Sequence, residues 1–144
     1  MLVFKPQGHV IQSGKNVQNF LAIGSLMVLF AKLKWLDETR AAKNSESSIG
    51  CDCNNDVCHV VRIVLKSYSL PGILPPQLVK LPYLREIDFA YNYLNGTIPL
   101  EWTSMQLTSI FVLANRVSGE IPKELGNITS LTYLYVLNFG LKSS

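Results

Sequence analysis

The chain repeats one spacing of apolar, Gly and Pro residues every 23 to 24 positions, and this period constrains its fold more than any other feature. The clearest copy is EIDFAYNYLNGTIPLEW, residues 86–102. Equivalent residues of three successive copies are Ile63, Leu65, Leu70, Gly72, Leu74 and Pro75; Ile87, Phe89, Leu94, Gly96, Ile98 and Pro99; and Ile110, Val112, Val117, Gly119, Ile121 and Pro122. A fourth copy begins at Leu131. A period of this length indicates stacked structural units rather than one amphipathic helix.

Each position of the unit has a physical role. Ile87 and Phe89 alternate as in a short strand whose inward side chains meet the next copy. Asn92 stands where the chain leaves the strand, so its amide can bond backbone groups of the bend and build a ladder with the next copy. Gly96 permits a backbone geometry that a Cβ would hinder, and Pro99 fixes φ at the following turn.

The pattern L-x-x-L-x-L-x-x-N-x-L-x-G-x-I-P is that of a leucine-rich repeat. Trp102 and Met105 are expected to close the unit from its back. The fourth unit departs from the pattern, with Phe139 at the ladder position and Ser143 where Gly is expected. Because no polar cap follows, we expect an exposed apolar end, marginal stability and self-association.

The longer sequence also resembles a known family. The signature G-x-[IL]-P is similar to the plant type of repeat. The runs VCHVVRIVLKSYSLPGILPPQLVKLPYLREIDFAYNYLNGTIPLEW and ANRVSGEIPKELGNITSLTYL resemble the ectodomain of plant leucine-rich-repeat receptor-like serine/threonine kinases, in particular the subgroup with a malectin-like domain. This resemblance covers about residues 51–138. It implies an N-terminal ectodomain fragment that binds a ligand or protein in cell-surface signalling.

The predicted fold is therefore α/β. We expect a right-handed leucine-rich-repeat solenoid over residues 60–144, with short parallel strands on the concave face and about three and a half plant-type repeats. Two other interpretations stay open: a secreted leucine-rich-repeat inhibitor of a cell-wall enzyme, and a non-functional truncated gene product.

Catalytic motifs are not visible in the sequence. The chain carries no Gly-rich nucleotide loop, HRD or DFG, so we expect no kinase activity, no cofactor and no catalytic residue, although the longer relatives implied by the resemblance are protein kinases. Glu86 and Asp88 share a strand face as hydrolase carboxylates do, but such acids are common on solvated strands.

Residues 1–50 are predicted to form a separate N-terminal segment. Its stretch FLAIGSLMVLFA, residues 20–31, is too short for a membrane span of about 20 residues but fits a secretory signal or anchor, with Lys15 on its positive side. A buried or amphipathic helix is the alternative. Residues 32–43 are compatible with a short helix, and NSESSIG, residues 44–50, is typical of a loop.

Charge bears on the choice of partner. Residues 1–50 hold six Lys/Arg against three Asp/Glu, whereas residues 51–144 hold seven against seven. The balanced second part gives no reason to expect nucleic acid as a partner. The expected partner is a peptide, protein or cell-wall glycan ligand, or a co-receptor, and the expected location is the cell surface or outside the cell.

Three cysteines lie within residues 51–59, which we predict to be a cap: Cys51, Cys53 and Cys58. With His59 they offer zinc-ligand types, but the spacing is not the usual C-x₂-C, so no metal is expected. The resemblance favours a disulfide that closes the N-terminal end, because caps of the family carry paired cysteines. It would join Cys58 to either Cys51 or Cys53 and leave one thiol unpaired.

Surface positions complete the set of candidates. Two N-x-T sequons place candidate glycans on Asn95 and Asn127, away from the strand face, if the chain is secreted. Residues flanking the inward pairs form a candidate binding face, and those singled out are Arg62, Glu86, Asp88, Phe111, Tyr133 and Tyr135. Alternatively, Arg62 merely pairs with Glu86 and Phe111 packs on Tyr135.

Overall fold

The computed structural model describes residues 2–4, 10–12, 29–30, 33, 42–54, 57–136 and 141–143. The described strands are β1 (Leu2–Phe4), β2 (Val10–Gln12), β3 (Glu46–Asn54), β4 (Val57–Lys66), β5 (Glu86–Asp88), β6 (Asn95–Gly96), β7 (Ser109–Phe111), β8 (Arg116–Val117), β9 (Gly119–Ile121), β10 (Tyr133–Tyr135) and β11 (Leu141–Ser143). Three 3₁₀ helices lie between them: η1 (Pro76–Lys80), η2 (Leu100–Ser104) and η3 (Lys123–Asn127).

The main sheet joins the repeated strands in sequence order. Its strand order among the described residues is β10-β7-β5-β4-β3-β1-β2. Strands β4, β5, β7 and β10 are parallel neighbours, whereas β3 and β1 add on in the antiparallel sense. The parallel register aligns Ile63 with Ile87, Ile87 with Ile110 and Ile110 with Leu134, as the sequence period predicted.

One apolar interior lies behind this sheet. Leu65, Phe89 and Val112, which occupy equivalent positions of successive units, are all buried in a single cluster. Behind the sheet each 3₁₀ helix begins directly after a proline and buries one side chain: Leu78, Trp102 and Leu125. Trp102 is fully buried, and its indole Nε1 donates to the carbonyl of Pro75 at 3.0 Å, so it bonds the back of the preceding unit.

The predicted asparagine ladder is present. Asn92 Oδ1 accepts from the backbone N–H groups of Tyr68 (3.0 Å) and Leu70 (3.1 Å). Its Nδ2 donates to the carbonyls of Leu65 (2.8 Å) and Phe89 (2.9 Å). Asn115, one unit later, accepts from Leu94 N–H and donates to the carbonyl of Phe89. Each buried amide therefore satisfies the bend of its own unit and of the unit before it.

The glycines of the repeat occupy the left-handed region of φ. Gly72, Gly96 and Gly119 have φ of 87°, 78° and 85°. A Cβ on Gly119 would stand 2.9 Å from Thr97 Cγ2, whereas a Cβ on Gly72 would meet nothing within 4 Å. The sequence prediction about Gly96 thus holds, and close packing between units adds a second requirement at Gly119.

The structure corrects one prediction about the N-terminal region. NSESSIG was predicted as a loop, but residues 46–50 belong to β3 and pair with β4 from Glu46↔Lys66 to Gly50↔Arg62. The local pattern of Ser, Glu and Gly does not predict a strand. The strand is stabilised by pairing with its antiparallel neighbour, and a local pattern cannot report that contact. β3 therefore runs across the predicted boundary between residues 50 and 51.

Part of the predicted signal or anchor segment packs into the core. Within residues 20–31 the structure describes Leu29 and Phe30, and Phe30 is fully buried in the apolar cluster. Among the described helices, none has the length and apolar character needed to cross a membrane. Most of residues 32–43, where a helix was considered, and the ladder position Phe139 lie outside the described residues.

β10 is the outermost of the parallel strands in the main sheet, and its side chains are exposed. Tyr133, Leu134 and Tyr135 of β10 are all exposed, and Leu134 is 36% exposed where its equivalents in β4, β5 and β7 are fully buried. Beside it lies an apolar cleft of about 260 Å³ lined by Ile121, Leu125, Leu131 and Leu134 among others. The expected marginal stability and self-association of the chain stay predictions.

Candidate binding face

We use the term outer face for the side of β4, β5, β7 and β10 opposite the apolar interior. The register builds it from two rows, Arg62–Glu86–Ser109–Tyr133 and Val64–Asp88–Phe111–Tyr135. Neighbouring strands lie about 4.8 Å apart, so each residue contacts the next in its row. The six candidate binding residues therefore come together on one surface in the predicted order, and their role in binding stays a prediction.

The β4–β5 half of the outer face is charged. Arg62 Nε donates to Glu86 Oε1 at 2.8 Å, and Lys66 Nζ lies 3.8 Å from Asp88 Oδ2. The expected Arg62–Glu86 pair is therefore present, and the Lys66–Asp88 pair was not anticipated. Val64, between Arg62 and Lys66 on its strand, is fully buried and offers no contact to a ligand.

Asp88 is more deeply buried than Glu86. Its residue is 8% exposed, and its Oδ1 accepts from Ala90 N–H at 3.1 Å. Burial raises the pKa of Asp88 above its ordinary 3.8, because a carboxylate loses hydration there. The Ala90 N–H and the Lys66 ammonium lower this pKa, but they only partly offset the burial.

The β7–β10 half of the outer face is aromatic. Phe111 and Tyr135 stack with ring centroids 5.2 Å apart and planes at 12°. Tyr133 and Tyr135 continue the stack at 6.4 Å and 17°. Tyr133 is 52% exposed and Tyr135 47% exposed. The predicted packing of Phe111 on Tyr135 occurs, and it leaves ring surface open to solvent.

A second group of aromatic residues escaped the sequence analysis. Tyr91 and Tyr93 flank Asn92 and are 54% and 51% exposed. The Arg116 guanidinium carbon lies 4.8 Å from the Tyr93 ring centroid, a cation–π contact. Tyr91 has a φ of 59°, which is uncommon for a bulky residue. Tyr93 and Arg116 are 23 residues apart, which is the repeat period, so the sequence contained the signal for this pair.

The cysteine region contains one disulfide-bonded and one free residue among those described. Cys53 is disulfide-bonded, and β3–β4 pairing sets the backbone of Cys58 opposite it. Cys51 is free and half-buried, opposite Val60, and burial raises the pKa of its thiol. Within the described ranges, no group of three or more His, Cys, Asp or Glu could hold a metal ion.

The two sequons lie off the outer face. Asn95 is exposed in β6, which pairs with β8 in a separate small sheet. Asn127 is exposed at the end of η3. Both asparagines are accessible, and neither belongs to a row of the main sheet.

Comparison with solved structures identifies the fold. The ectodomain of the receptor kinase SOBIR1 from Arabidopsis thaliana matches with a TM-score of 0.61 and 23% identity, over 84% of this chain and 67% of that one. The chain has the leucine-rich-repeat fold. A plant ice-binding protein also matches, with a TM-score of 0.62 and 22% identity over 90% of this chain and 42% of that one. Fold likeness therefore leaves the function of this leucine-rich-repeat chain to be argued from its surface.

This leucine-rich-repeat chain is similar in sequence to plant receptor-like kinases. Two probable leucine-rich-repeat receptor-like serine/threonine-protein kinases of Arabidopsis thaliana are 45% and 52% identical over 101 and 94 residues, 67% and 65% of this chain. The chain spans about a tenth of their length. No model of a known protein family matches the sequence. These likenesses support a receptor-like kinase ectodomain.

A plant peptide hormone receptor, RGFR1, solved in complex with RGF2, is a further structural neighbour. Its TM-score is 0.51 at 26% identity, over 65% of this chain and 14% of that one. A protein described as a peptide hormone receptor is therefore among those that share this fold.

Proposed function

We propose that this chain is a recognition module of a plant receptor-like kinase ectodomain that binds a peptide or protein segment on its outer face at the cell surface. The observation that carries the proposal is the run of near-parallel rings of Phe111, Tyr135 and Tyr133 beside the charged pairs of β4 and β5. The two tyrosines are about half exposed, and Phe111 is partly buried.

The chemistry of this surface supports recognition. Tyr side chains supply large contact areas at low cost in conformational entropy, and they recur in the energetically dominant parts of protein interfaces. Their rings would gain burial on binding, since Tyr133 and Tyr135 expose about half of their surface. The ion pairs Arg62–Glu86 and Lys66–Asp88 would set register by charge complementarity.

The sequence relatives and structural neighbours support the biological setting. Ectodomains of receptor kinases share the fold, and a neighbour is described as a peptide hormone receptor. A peptide or protein ligand is therefore our first choice, ahead of a cell-wall glycan or a co-receptor. The malectin-like subgroup remains part of the proposal on the strength of the sequence resemblance alone.

The proposal includes the finer architecture. The units would wind into a right-handed solenoid of about three and a half plant-type repeats from residue 60, with residues 51–59 in a cap and residues 1–50 before it. In the cap, a Cys53–Cys58 disulfide would close the end of the β3–β4 hairpin, because the register sets the two residues opposite each other. Glycans on Asn95 and Asn127 would leave the outer face open.

A peptide selection tests the proposed function. Random peptides displayed on phage would be selected on the immobilised full chain, and synthetic copies of the binders measured by calorimetry. We expect the Tyr133→Ala/Tyr135→Ala variant to lose at least tenfold in affinity, about 1.4 kcal/mol. Tyr93→Ala, which removes an equally exposed ring elsewhere, should bind like the unmodified chain. Equal loss in both variants, or in neither, would contradict the proposal.

A further inference from the structure

The boundary between the charged and aromatic halves of the outer face lies at two neighbouring residues. Asp88 of β5 and Phe111 of β7 are directly paired in register, and Tyr135 of β10 is next in the same row. A carboxylate therefore stands beside one end of a stack whose rings are 5.2 Å apart. Few side chains can contact an anion and an aromatic stack at the same time.

The side chain of Asp88 is 12% exposed, and one of its two carboxylate oxygens makes only a wide ion pair. Its Oδ1 is used by Ala90 N–H, but Oδ2 is 3.8 Å from Lys66 Nζ. A charge-assisted N–H···O bond is about 2.7–2.9 Å long, so this pair is too wide for one. The Arg62–Glu86 pair at 2.8 Å shows the closer geometry on the same two strands. Glu46 and Glu86 add like charge near Asp88 and favour a cation there.

Arginine fits this boundary better than lysine. Its guanidinium is planar, so one face can lie on an aromatic ring while its edge donates to a carboxylate. An ammonium is a compact and strongly hydrated charge that satisfies the carboxylate alone. A neutral aromatic side chain would extend the Phe111–Tyr135 stack but leave Asp88 uncompensated.

We propose that the ligand of the outer face carries an arginine side chain that docks between Asp88 and Phe111, with its guanidinium on the carboxylate and its plane against the Phe111–Tyr135 stack. This inference rests on the proposed function and names the chemistry of its ligand. In this arrangement Asp88 selects arginine by its charge. The rings of Phe111 and Tyr135 supply the contact area.

The test uses the peptides selected on the full chain, each resynthesised with citrulline in place of each arginine. Citrulline keeps the planar shape and removes the charge. We call a selected peptide face-directed if the Tyr133→Ala/Tyr135→Ala variant binds it more weakly than the unmodified chain does. We expect every face-directed peptide to contain arginine and to bind at least tenfold more weakly after that arginine is replaced by citrulline. In the Asp88→Asn variant, which keeps an Oδ1 acceptor for Ala90 N–H, the same exchange should change affinity less than threefold. Glu120→Gln, which removes an exposed acid from β9, should behave like the unmodified chain.

The outcomes separate the two proposals. Face-directed peptides without arginine, or an equal citrulline effect in Asp88→Asn and the unmodified chain, would overturn the arginine site and leave the binding face in place. Selected peptides that are indifferent to Tyr133→Ala/Tyr135→Ala would remove the proposed function and the arginine site together. A cooperative thermal unfolding transition of the Asp88→Asn chain, with a midpoint at or above that of the unmodified chain, confirms that the comparison is between folded proteins.

Discussion

The side-chain amide of Asn92 donates to the backbone carbonyl of Leu65, 27 residues earlier, at 2.8 Å. The same side chain accepts from Leu70 N–H at 3.1 Å and is 5% exposed. Two successive units are thus joined by a polar group that is almost fully buried. Because buried backbone groups are costly to leave unpaired, this contact is a main stabilising link between units.

Asn92→Ala should lower the free energy of unfolding by about 2–4 kcal/mol, because several buried backbone groups lose their partner at once. Asn92→Asp should cost at least as much at neutral pH, since its carboxylate would face the carbonyls of Leu65 and Phe89. Urea denaturation measures both. Asn95→Ala, at an exposed position, is the control and should change stability by less than about 0.5 kcal/mol. Equal effects at residues 92 and 95 would contradict the ladder.

Three Gly→Ala substitutions should separate backbone strain from steric contact. Gly72→Ala should cost about 1–2 kcal/mol from its φ of 87° alone. Gly119→Ala should cost more, because its Cβ would also meet Thr97 Cγ2 at 2.9 Å. Gly126→Ala, whose Cβ meets nothing within 4 Å, should have little effect. Thermal unfolding gives the order, and a Gly126→Ala loss as large as that of Gly119→Ala would refute the explanation.

Asp88→Asn should change how stability depends on pH. The folded-state pKa of Asp88 is raised by burial, so its proton is held more tightly in the folded chain. The stability from that proton is complete below the ordinary value of 3.8 and is lost as pH rises through the folded-state pKa. Relative to Asp88→Asn, the unmodified chain should therefore lose stability as pH rises above 3.8. Denaturation at a series of pH values checks this, and a pH-independent difference would count against it.

Phe30→Ala should lower the free energy of unfolding by about 3–5 kcal/mol, because Phe30 is fully buried in the apolar cluster. If that variant does not fold, Phe30→Leu provides a milder measure of the same contact. Leu100→Ala is the control, since Leu100 is 60% exposed. If Phe30→Ala leaves the free energy of unfolding unchanged, the contact of Phe30 with the apolar cluster does not stabilise the folded chain. That result is expected if residue 30 belongs to a leader that is removed from the mature chain.

The sequence predicted those parts of the fold that recur with the repeat. Ile63, Ile87 and Ile110 align because the same spacing returns, and the ladder and the left-handed glycines follow from single residue types with few alternative roles. The rows of the outer face followed from the same register. Sequence reasoning therefore succeeded where one physical requirement is imposed several times.

The remaining features depend on contacts that occur once. β3 is largely polar and contains Gly50, so its pairing with β4 and β1 makes it a strand. Burial of Phe30 joins residues distant in sequence, which no local pattern reports. The under-compensated Asp88 was visible as an acid, but its burial and its 3.8 Å distance to Lys66 required the packed sheet.

The exposed β10 has a consequence for the energetics of recognition. It carries Tyr133 and Tyr135, and it is the outermost parallel strand of the described sheet, bonded to β7. In repeat architectures each unit gains stability from its neighbours, so an end strand opens more readily than an inner one. A ligand that contacts both β5 and β10 would thus spend part of its interaction energy on holding that strand closed. Binding of this ligand would therefore order β10 and slow amide hydrogen exchange in the aromatic half of the outer face.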